Sequence, residues 1–206
     1  MRRISLSLAA LALAAIAPAA HAQKAASPMS RVTVDLHANG SSVTPKDADT
    51  KSGGGAGVGL GYDVIPALRI VANVDLAKID VTDEAAGIDG NFALRQIDLG
   101  ARYSFMAQAR RWTPFLQASV TPRHMGADVD DGSGNTVKVE MSGTAFSFGG
   151  GVDYAFSPRT SFGAGLHYTV GSFDKFKVDG QDAQGDKIDA NGARLNVGVT
   201  WRPFSR

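Results

Sequence analysis

Apolar and polar residues alternate along the C-terminal segment of the chain, from Ala193 to Phe204. Leu195, Val197, Val199 and Trp201 occupy every second position, and the residues between them are charged, polar or glycine. Successive side chains of a β-strand point to opposite faces. The segment is therefore predicted to form a strand with one face suited to hydrocarbon and the other suited to water or to paired charges.

Seven earlier segments repeat this period of two, and stretches rich in Gly, Pro, Asp or Ser separate them. Such a series favours an all-β fold, an eight-stranded antiparallel up-and-down transmembrane β-barrel. Because eight is an even number, both chain ends are expected at the same end of the barrel. The predicted strands cover residues 30–37, 54–63, 69–76, 92–105, 114–123, 137–156, 161–170 and 193–204.

The connections between these strands are predicted to alternate in length, with long polar loops at one end of the barrel and short turns at the other. This alternation is typical of bacterial outer-membrane barrels. The long loops are expected after strands one, three, five and seven, at residues 40–53, 80–90, 128–136 and 179–191.

Two positions interrupt the regular alternation. Pro122 has no N–H for a ladder hydrogen bond, so a bulge is expected there. Val137 and Met141 are an odd number of residues away from Phe146, so a regular strand cannot place all three on the apolar face. A second bulge is therefore expected near Gly143.

The N-terminal 22 residues differ from the rest of the chain. Arg2 and Arg3 precede an apolar run over residues 6–17, and Ala20-His-Ala22 supplies small residues at a cleavage position. These features predict a secretory signal peptide at 1–22 and a barrel domain at 23–206. No later apolar run approaches the roughly 18 residues of a membrane helix, so a membrane protein of this sequence would have to be a closed barrel.

Composition narrows the function classes. The chain has no Cys and a formal net charge of +1, and its Lys and Arg residues are scattered. No nucleic-acid partner is expected, because no basic cluster is present. We expect no cofactor and no metal, since the sequence contains no phosphate loop, dinucleotide motif or regular metal-ligand spacing.

Aromatic residues concentrate at the strand ends on the short-turn side. A lipid interface selects such a girdle, whereas a soluble core would spread aromatic residues along the strands. The predicted girdle comprises Tyr62, Tyr103, Phe105, Tyr154, Phe156, Trp201 and Phe204, with Trp112, Phe115 and Phe162 beside the same strand ends.

The polar faces of the strands carry charges of both signs. Eight closed strands leave an interior that side chains can just fill, so these charges are predicted to pair across the lumen and plug it. The alternative is a soluble lipocalin-like barrel, in which the polar face meets solvent. The predicted lumen network consists of Asp35, Arg69, Asp75, Asp98, Arg102, Arg123, Asp153, Arg194 and Arg202.

The signal peptide, the alternating strands and the aromatic-rich closing strand Val197–Phe204 together resemble the small Gram-negative outer-membrane barrels of the OmpA transmembrane-domain, OmpX/Ail and opacity-protein type, a porin-like group. The resemblance implies a location in the outer membrane, contact with its lipid and lipopolysaccharide, and recognition of the last strand by the barrel-assembly machinery. Pro203 departs from the pattern, because it puts Phe204 out of step with Trp201.

Several functions remain compatible with this fold. The first is a structural or adhesin-like protein whose external loops carry recognition, and the second is a narrow porin-like channel. A soluble periplasmic ligand-binding barrel is the third. An enzyme is not expected, although His167 and Thr169 have the spacing of a lipid A deacylase base and hydroxyl. The acidic stretch Asp128–Asn135 lacks the ligand spacing of a calcium loop.

Overall fold

The computed structural model describes residues 31–46, 50–83, 88–105, 111–130 and 136–204. The predicted signal peptide lies outside these ranges. Most of the described chain is β-strand. The strands are β1 (Val32–Pro45), β2 (Lys51–Ile65), β3 (Leu68–Asp83), β4 (Ile88–Ser104), β5 (Trp112–Asp130), β6 (Thr136–Ala155), β7 (Thr160–Phe173), β8 (Lys175–Val178), β9 (Gln181–Ala183) and β10 (Ile188–Trp201).

Eight of these strands close into an antiparallel barrel, as the sequence predicts. Strands β1 to β7 pair in order, β7 pairs with β10, and β10 pairs with β1. The closing β1–β10 ladder runs from Val34 opposite Trp201 to Pro45 opposite Ala190. Strands β8 and β9 form a hairpin that continues the sheet from the upper part of β6. Among the described residues, no helix is long and apolar enough to cross a membrane.

The predicted long loops are wrong in extent, because strands occupy much of their length. The first loop shrinks to the stretch between Pro45 and Lys51, and the second to that between Asp83 and Ile88. The fourth contains hairpin strand β9 and the start of β10. Ladder hydrogen bonds join backbone groups whatever side chains they carry, so the strands continue past the point where the apolar alternation ends.

The β5–β6 ladder has no bulge at Pro122 or Gly143, but on its other side β6 does have an irregularity beside Gly143. Its register shifts by one residue between the pair Ala145–Gly171 on β7 and the pair Ser142–Lys175 on β8, so the extra residue lies between β7 and β8 rather than in β6. The β5–β6 register is constant across both predicted positions, with Pro122 opposite Thr144 and Gly143 opposite Arg123. The β4–β5 ladder instead has no pairs between Gln96–Arg123 and Leu99–Val120, although its register is unchanged there. A proline that donates no hydrogen bond interrupts a ladder in this way without shifting it.

Large apolar side chains cover the outer wall of the barrel over the half nearer the short turns. Leu166 is 59 % exposed and Val197 is 56 % exposed, whereas Asp98 on the opposite face is 0 % exposed. This arrangement is the reverse of a soluble barrel. We call this outer surface the apolar belt; it includes Leu36, Val58, Leu60, Ile70, Leu76, Leu99, Leu116, Val120, Phe146, Phe148, Leu166, Val170, Leu195 and Val197.

The polarity of the two faces inverts towards the loop end. On β3, Leu76 points outward beside buried Ala77, and beyond them Lys78 is exposed while Ile79 is buried. Apolar side chains therefore fill the barrel interior at this end. This inner apolar layer consists of Val43, Ala77, Ile79, Leu94, Met125, Phe173 and Ala190, with Phe92, Met141 and Phe176 packed against it.

The inversion shows why the apolar pattern of β6 needs no bulge within β6 itself. Met141 lies opposite Met125, and Val139 lies opposite Ala127. Cross-strand partners share a face, and Met125 and Ala127 are buried inside the barrel. Met141 and Val139 therefore face inward without any change of register.

Candidate functional site: the barrel interior

The charged residues at mid-height form a compact cluster around Arg194. One guanidinium nitrogen, Nη1, donates to Gln96 Oε1 at 2.7 Å and lies 3.2 Å from Asp75 Oδ2, and Nη2 donates to Asp98 Oδ2. Arg194, Asp75 and Asp98 are each at most 2 % exposed. Buried charges are tolerated only when partners of opposite charge compensate for lost hydration, and here strands β3, β4 and β10 supply those partners.

His37 links this cluster to Asp35. Its Nδ1 lies 2.5 Å from Asp35 Oδ1, and its Nε2 lies 2.7 Å from Asp75 Oδ1. Carboxylates only accept hydrogen bonds, so both ring nitrogens can be satisfied together when both are protonated. Thr200 also donates to Asp35, at 2.8 Å. We call Asp35, His37, Asp75, Asp98 and Arg194 the central ionic layer.

A chain of hydroxyl groups extends from the central ionic layer towards β7. Thr121 Oγ1 donates to Asp98 Oδ1 at 2.6 Å, and Thr121, Ser147 and Thr169 are joined by two further hydrogen bonds of 2.7 Å. Thr169 thus points into the barrel and contacts Ser147. Among the described residues, His167 Nδ1 has no hydrogen-bond partner and no bond joins His167 to Thr169. The two side chains do not form the pair that nucleophile activation requires.

A second group of charges lies nearer the short turns. Arg69 Nε donates to Asp63 Oδ1 at 2.6 Å, and Arg202 Nε lies 3.9 Å from the other oxygen of the same carboxylate. Arg102 Nη1 lies 3.6 Å from Asp153 Oδ2. These pairs cross between strands and occupy the lower lumen.

A small polar cavity of about 30 Å³ lies beside these charges, and His167, Asn196, Gln117 and Arg102 contribute to its lining. Its size suits about one water molecule. Asn196 Oδ1, like His167 Nδ1, has no hydrogen-bond partner within the described part of the chain. The cavity is therefore polar and has room for one water molecule in an otherwise filled lumen.

Arg123 lies apart from the other predicted lumen residues. Its Nη2 donates to the Ala190 carbonyl at 2.6 Å, and its guanidinium carbon lies 4.3 Å from the centroid of the Phe173 ring. It is 3 % exposed, and its Nε and Nη1 have no hydrogen-bond partner among the described residues. Arg123 therefore sits at the boundary between the central ionic layer and the inner apolar layer.

The structure places all nine residues of the predicted lumen network inside the barrel and divides them among three levels. Sequence reasoning missed the roles of His37, Gln96 and Asp63. The signal for Asp63 was present, because it is in phase with Gly57, Gly59 and Gly61 on the inward face of β2. Nothing in the sequence indicated that one His would bridge two carboxylates from β1 and β3.

The aromatic residues at the short-turn end lie on the outside, with one exception. Trp112 and Tyr154 pack with ring centroids 4.7 Å apart, and Tyr154 accepts a hydrogen bond from Arg111. Phe115 is the exception to the prediction: it is buried in the lumen, where the Arg102 guanidinium lies 4.0 Å from its ring centroid. The exposed members are Tyr62, Tyr103, Phe105, Trp112, Phe156, Phe162, Trp201 and Phe204.

A closed barrel with an apolar outer wall and a charged, filled interior is the architecture of an integral outer-membrane protein, because such a barrel satisfies every backbone group within lipid. The family comparison agrees with this class. A family model described as "outer membrane protein beta-barrel domain" matches residues 6–202. The chain belongs to this family and is a protein of the cell outer membrane. Among curated proteins, none matches the sequence.

Solved structures of small outer-membrane barrels share the fold at low sequence identity. Neisserial surface protein A superposes with a TM-score of 0.64 at 20 % identity, covering 83 % of this chain and 96 % of that one. Ail, the attachment invasion locus protein of Yersinia pestis, solved in complex with the heparin analogue sucrose octasulfate, gives a TM-score of 0.54 at 13 % identity and covers 82 % and 97 %. OprG of Pseudomonas aeruginosa gives 0.54 at 13 % identity, with 82 % and 94 % covered.

Proposed function

We propose that the protein is a closed, non-conducting barrel with a structural and surface-interaction role in the outer membrane. The observation that carries this proposal is the filling of the lumen by two layers in series. The central ionic layer fills the middle of the barrel, and the inner apolar layer fills the loop end. A solute would have to break buried ion pairs and then pass a packed hydrocarbon layer.

Each layer opposes conduction for its own reason. Ile79 and Leu94 in the upper layer are 1 % and 2 % exposed, so they leave no room for a hydrated ion. An ion that shed its water there would find no polar groups to replace the lost hydration. In the lower layer, displacing Arg194 would remove the cation from buried Asp98 and leave Asp75 with His37 alone.

Conductance of the purified protein in planar lipid bilayers tests this proposal against the channel alternative. We expect no steady openings under conditions in which a porin added to the same membranes conducts. Steady openings of the wild-type protein that disappear in an Ala77→Trp variant would overturn the proposal, because Ala77 faces the lumen and its replacement by Trp would block a real pathway.

The loop end of the barrel is proposed to face the cell exterior and to carry the interaction surface. The strands of the barrel are 14 to 20 residues long, whereas a tilted strand needs only about 9–11 residues to cross a bilayer. The excess forms a crown, which we define as the strand ends beyond the apolar belt together with hairpin β8–β9. Its rigid, paired strands would present side chains at fixed positions.

Adhesion of cells that display the protein tests the interaction role. The likeness to an attachment protein seen with a sulfated sugar makes heparin-coated surfaces the first choice of target. We expect wild-type cells to adhere, and cells in which residues 175–183 are replaced by a short Gly-Ser linker to lose adhesion while the barrel stays folded. Arg159→Gln in the β6–β7 turn is the matched control. Equal adhesion of displaying and non-displaying cells would contradict the adhesin role.

Strand β10 is the proposed recognition element for the barrel-assembly machinery. It closes the barrel against β1 and presents Trp201 on the outer surface, followed by Phe204 after a turn. We expect Trp201→Ala to lower the amount of folded protein in the outer membrane more than Phe204→Ala, because only Trp201 continues the outward register. The amount of folded protein is measured by heat-dependent gel migration of membrane fractions. A larger loss in Phe204→Ala than in Trp201→Ala would identify Phe204 as the residue that the assembly machinery recognises.

A further inference from the structure

Cationic side chains gather on one sector of the outer wall, immediately beyond the apolar belt. Arg95 lies opposite His124, His124 lies opposite Ser142, and Ser142 lies opposite Lys175. These four residues form one cross-strand row over β4, β5, β6 and β8, and all four are on the outward face. Neighbouring members of such a row have Cβ atoms about 4.5–5.5 Å apart, so Arg95 and Lys175 lie at the two ends of the row, with His124 and Ser142 between them.

The row lies at the height where lipid contact ends. Arg95 is directly opposite Leu76, which is 57 % exposed and belongs to the apolar belt. On the next row Lys78 is exposed, and its cross-strand neighbours are Gly54 on β2 and, beyond it, Gly40 on β1. Cations therefore line the boundary on one side of the barrel, and uncharged glycine backbone lies at the corresponding rows on the other.

A groove of about 540 Å³ runs along the cationic row. Arg95, His124 and Lys175 line it, together with the hydroxyl groups of Ser142 and Thr144. Within the described part of the chain, no ion pair or hydrogen bond engages the Arg95 guanidinium, and His124 is 3.7 Å from Glu140. The groove thus offers several donors and unneutralised positive charge.

Two further residues refine the character of the groove. Arg123 also borders it, but this side chain is buried and its guanidinium donates to the Ala190 carbonyl inside the barrel, so its charge does not count toward the groove. Asp174 is the acidic residue of the lining. Ile97 and Pro122 supply apolar surface on the side towards the belt. The cations outnumber the acid, so the groove suits a ligand that combines negative charge with an apolar part.

We propose that this groove binds the phosphorylated sugar headgroup of an outer-leaflet glycolipid. Arg95 and Lys175 would donate charge-assisted hydrogen bonds to phosphate, Ser142 and Thr144 would bond the sugar, and the acyl chains would lie against the apolar belt below Ile97. Basic pockets at membrane surfaces recognise anionic headgroups in this way. The inference rests on the outer-membrane location of the protein and on the proposed orientation with the loop end outside, and it does not depend on whether the barrel conducts.

Binding of bis-phosphorylated lipid A to the purified barrel in detergent tests the proposal. Each Lys or Arg near an anionic lipid surface changes affinity by about fivefold, so the double variant Arg95→Gln/Lys175→Gln is expected to bind roughly 25-fold more weakly. The matched control is Lys46→Gln/Lys187→Gln, which removes two exposed cations near β1 and β10. The control is expected to bind like wild type, and dephosphorylated lipid A is expected to bind wild type as weakly as the double variant binds lipid A.

Three outcomes would overturn the proposal. The first is equal lipid A affinity of wild type and the double variant, provided that both show the heat-dependent gel migration of a folded barrel. The second is an equal loss in the control variant, which would indicate a general charge effect. The third is stronger binding of sucrose octasulfate than of lipid A with the same dependence on Arg95, which would identify a soluble sulfated glycan as the ligand. Conductance measurements leave all three unaffected, so this proposal and the non-conducting role fail separately.

Discussion

Leu166 and Leu94 are both leucines of barrel strands, yet Leu166 is 59 % exposed and Leu94 is 2 % exposed. Leu166 lies in the apolar belt and points away from the barrel axis, whereas Leu94 lies in the inner apolar layer and points towards it. The charged residues of β4 show the same change. Asp98, at the height of the belt, points inward and is buried, whereas Arg95, next to Leu94, points outward and is exposed. The same strand β4 thus follows two opposite rules along its length.

The difference shows that the surrounding solvent, rather than the fold, decides which face of a barrel strand is apolar. Around the belt, hydrocarbon favours leucine on the outer face and excludes charged side chains. Around the crown, water favours charged side chains on the outer face and drives apolar side chains into the interior. Strands β5 and β6 are continuous and in register across the boundary, so the change needs no bulge between them. The part of the protein beyond the lipid is built like a soluble barrel on top of a membrane barrel.

The largest effect is expected from breaking the central ionic layer. Arg194→Met removes the cation shared by Asp75 and Asp98 and leaves two buried carboxylates with reduced compensation, which typically costs about 3–5 kcal/mol. The free energy of unfolding is measured by urea titration in detergent micelles. Heat-dependent gel migration reports the folded fraction at each urea concentration. Asp98→Leu/Arg194→Met removes the Asp98 charge together with its cation and leaves Asp75 paired with His37, so it is expected to cost less than Arg194→Met alone. A double variant that is less stable than the single variant would contradict this account.

The second prediction compares the two leucines directly. Leu94→Ala leaves a cavity in a packed layer and is expected to cost about 3 kcal/mol of unfolding free energy. Leu166→Ala is expected to cost clearly less, because acyl chains or detergent can fill the space that the side chain leaves. Both variants are measured in the same micelles. Equal costs would mean that the inner apolar layer is not packed like a protein core.

Much of the fold could be predicted from the sequence, because alternation with a period of two is a local signal. Alternation defines two faces but does not identify which one is inside. Treating apolar residues as outward works for Leu195 and Val197 in the belt and fails for Val139 and Met141 in the crown. The same assumption made residues 40–53 look like a loop, since neither face there is uniformly apolar.

The candidate site was less accessible to sequence reasoning. The phase of each strand identifies which charges enter the lumen, but cross-strand register decides which of them meet. His37 meets Asp75 only because β1, β2 and β3 pair so that His37, Gly57 and Asp75 share one row. A one-residue slip in either ladder would move His37 beside different partners, and a sequence without its ladders does not contain this information.

That row supplies the third prediction, because Gly57 leaves the space in which His37 and Asp75 meet. A β-carbon on Gly57 would overlap the His37 ring and lie 2.6 Å from Asp75 Oδ1. Gly57→Ala is therefore expected to cost about 1–3 kcal/mol, the usual range for overpacking a filled interior. Gly40→Ala is the matched control, since a β-carbon there meets nothing within 4 Å. If Gly57→Ala proved as stable as Gly40→Ala, the contact between His37 and Asp75 would not be close.

The smallest effect is expected on the outer surface of the crown, where charges are paired in water. Lys138 Nζ lies 2.7 Å from Glu140 Oε1, and this hydrogen bond lowers the pKa of the Glu140 carboxyl from its ordinary value of 4.5. A depressed pKa in the folded state contributes stability above the ordinary pKa, and that contribution disappears as the pH falls through the folded-state value. The stability difference between wild type and Glu140→Gln should therefore be small at pH 7, decline once the pH falls below the ordinary pKa of 4.5, and shrink at high salt. A difference that persists unchanged at low pH would show that packing, rather than charge, connects Glu140 to the crown.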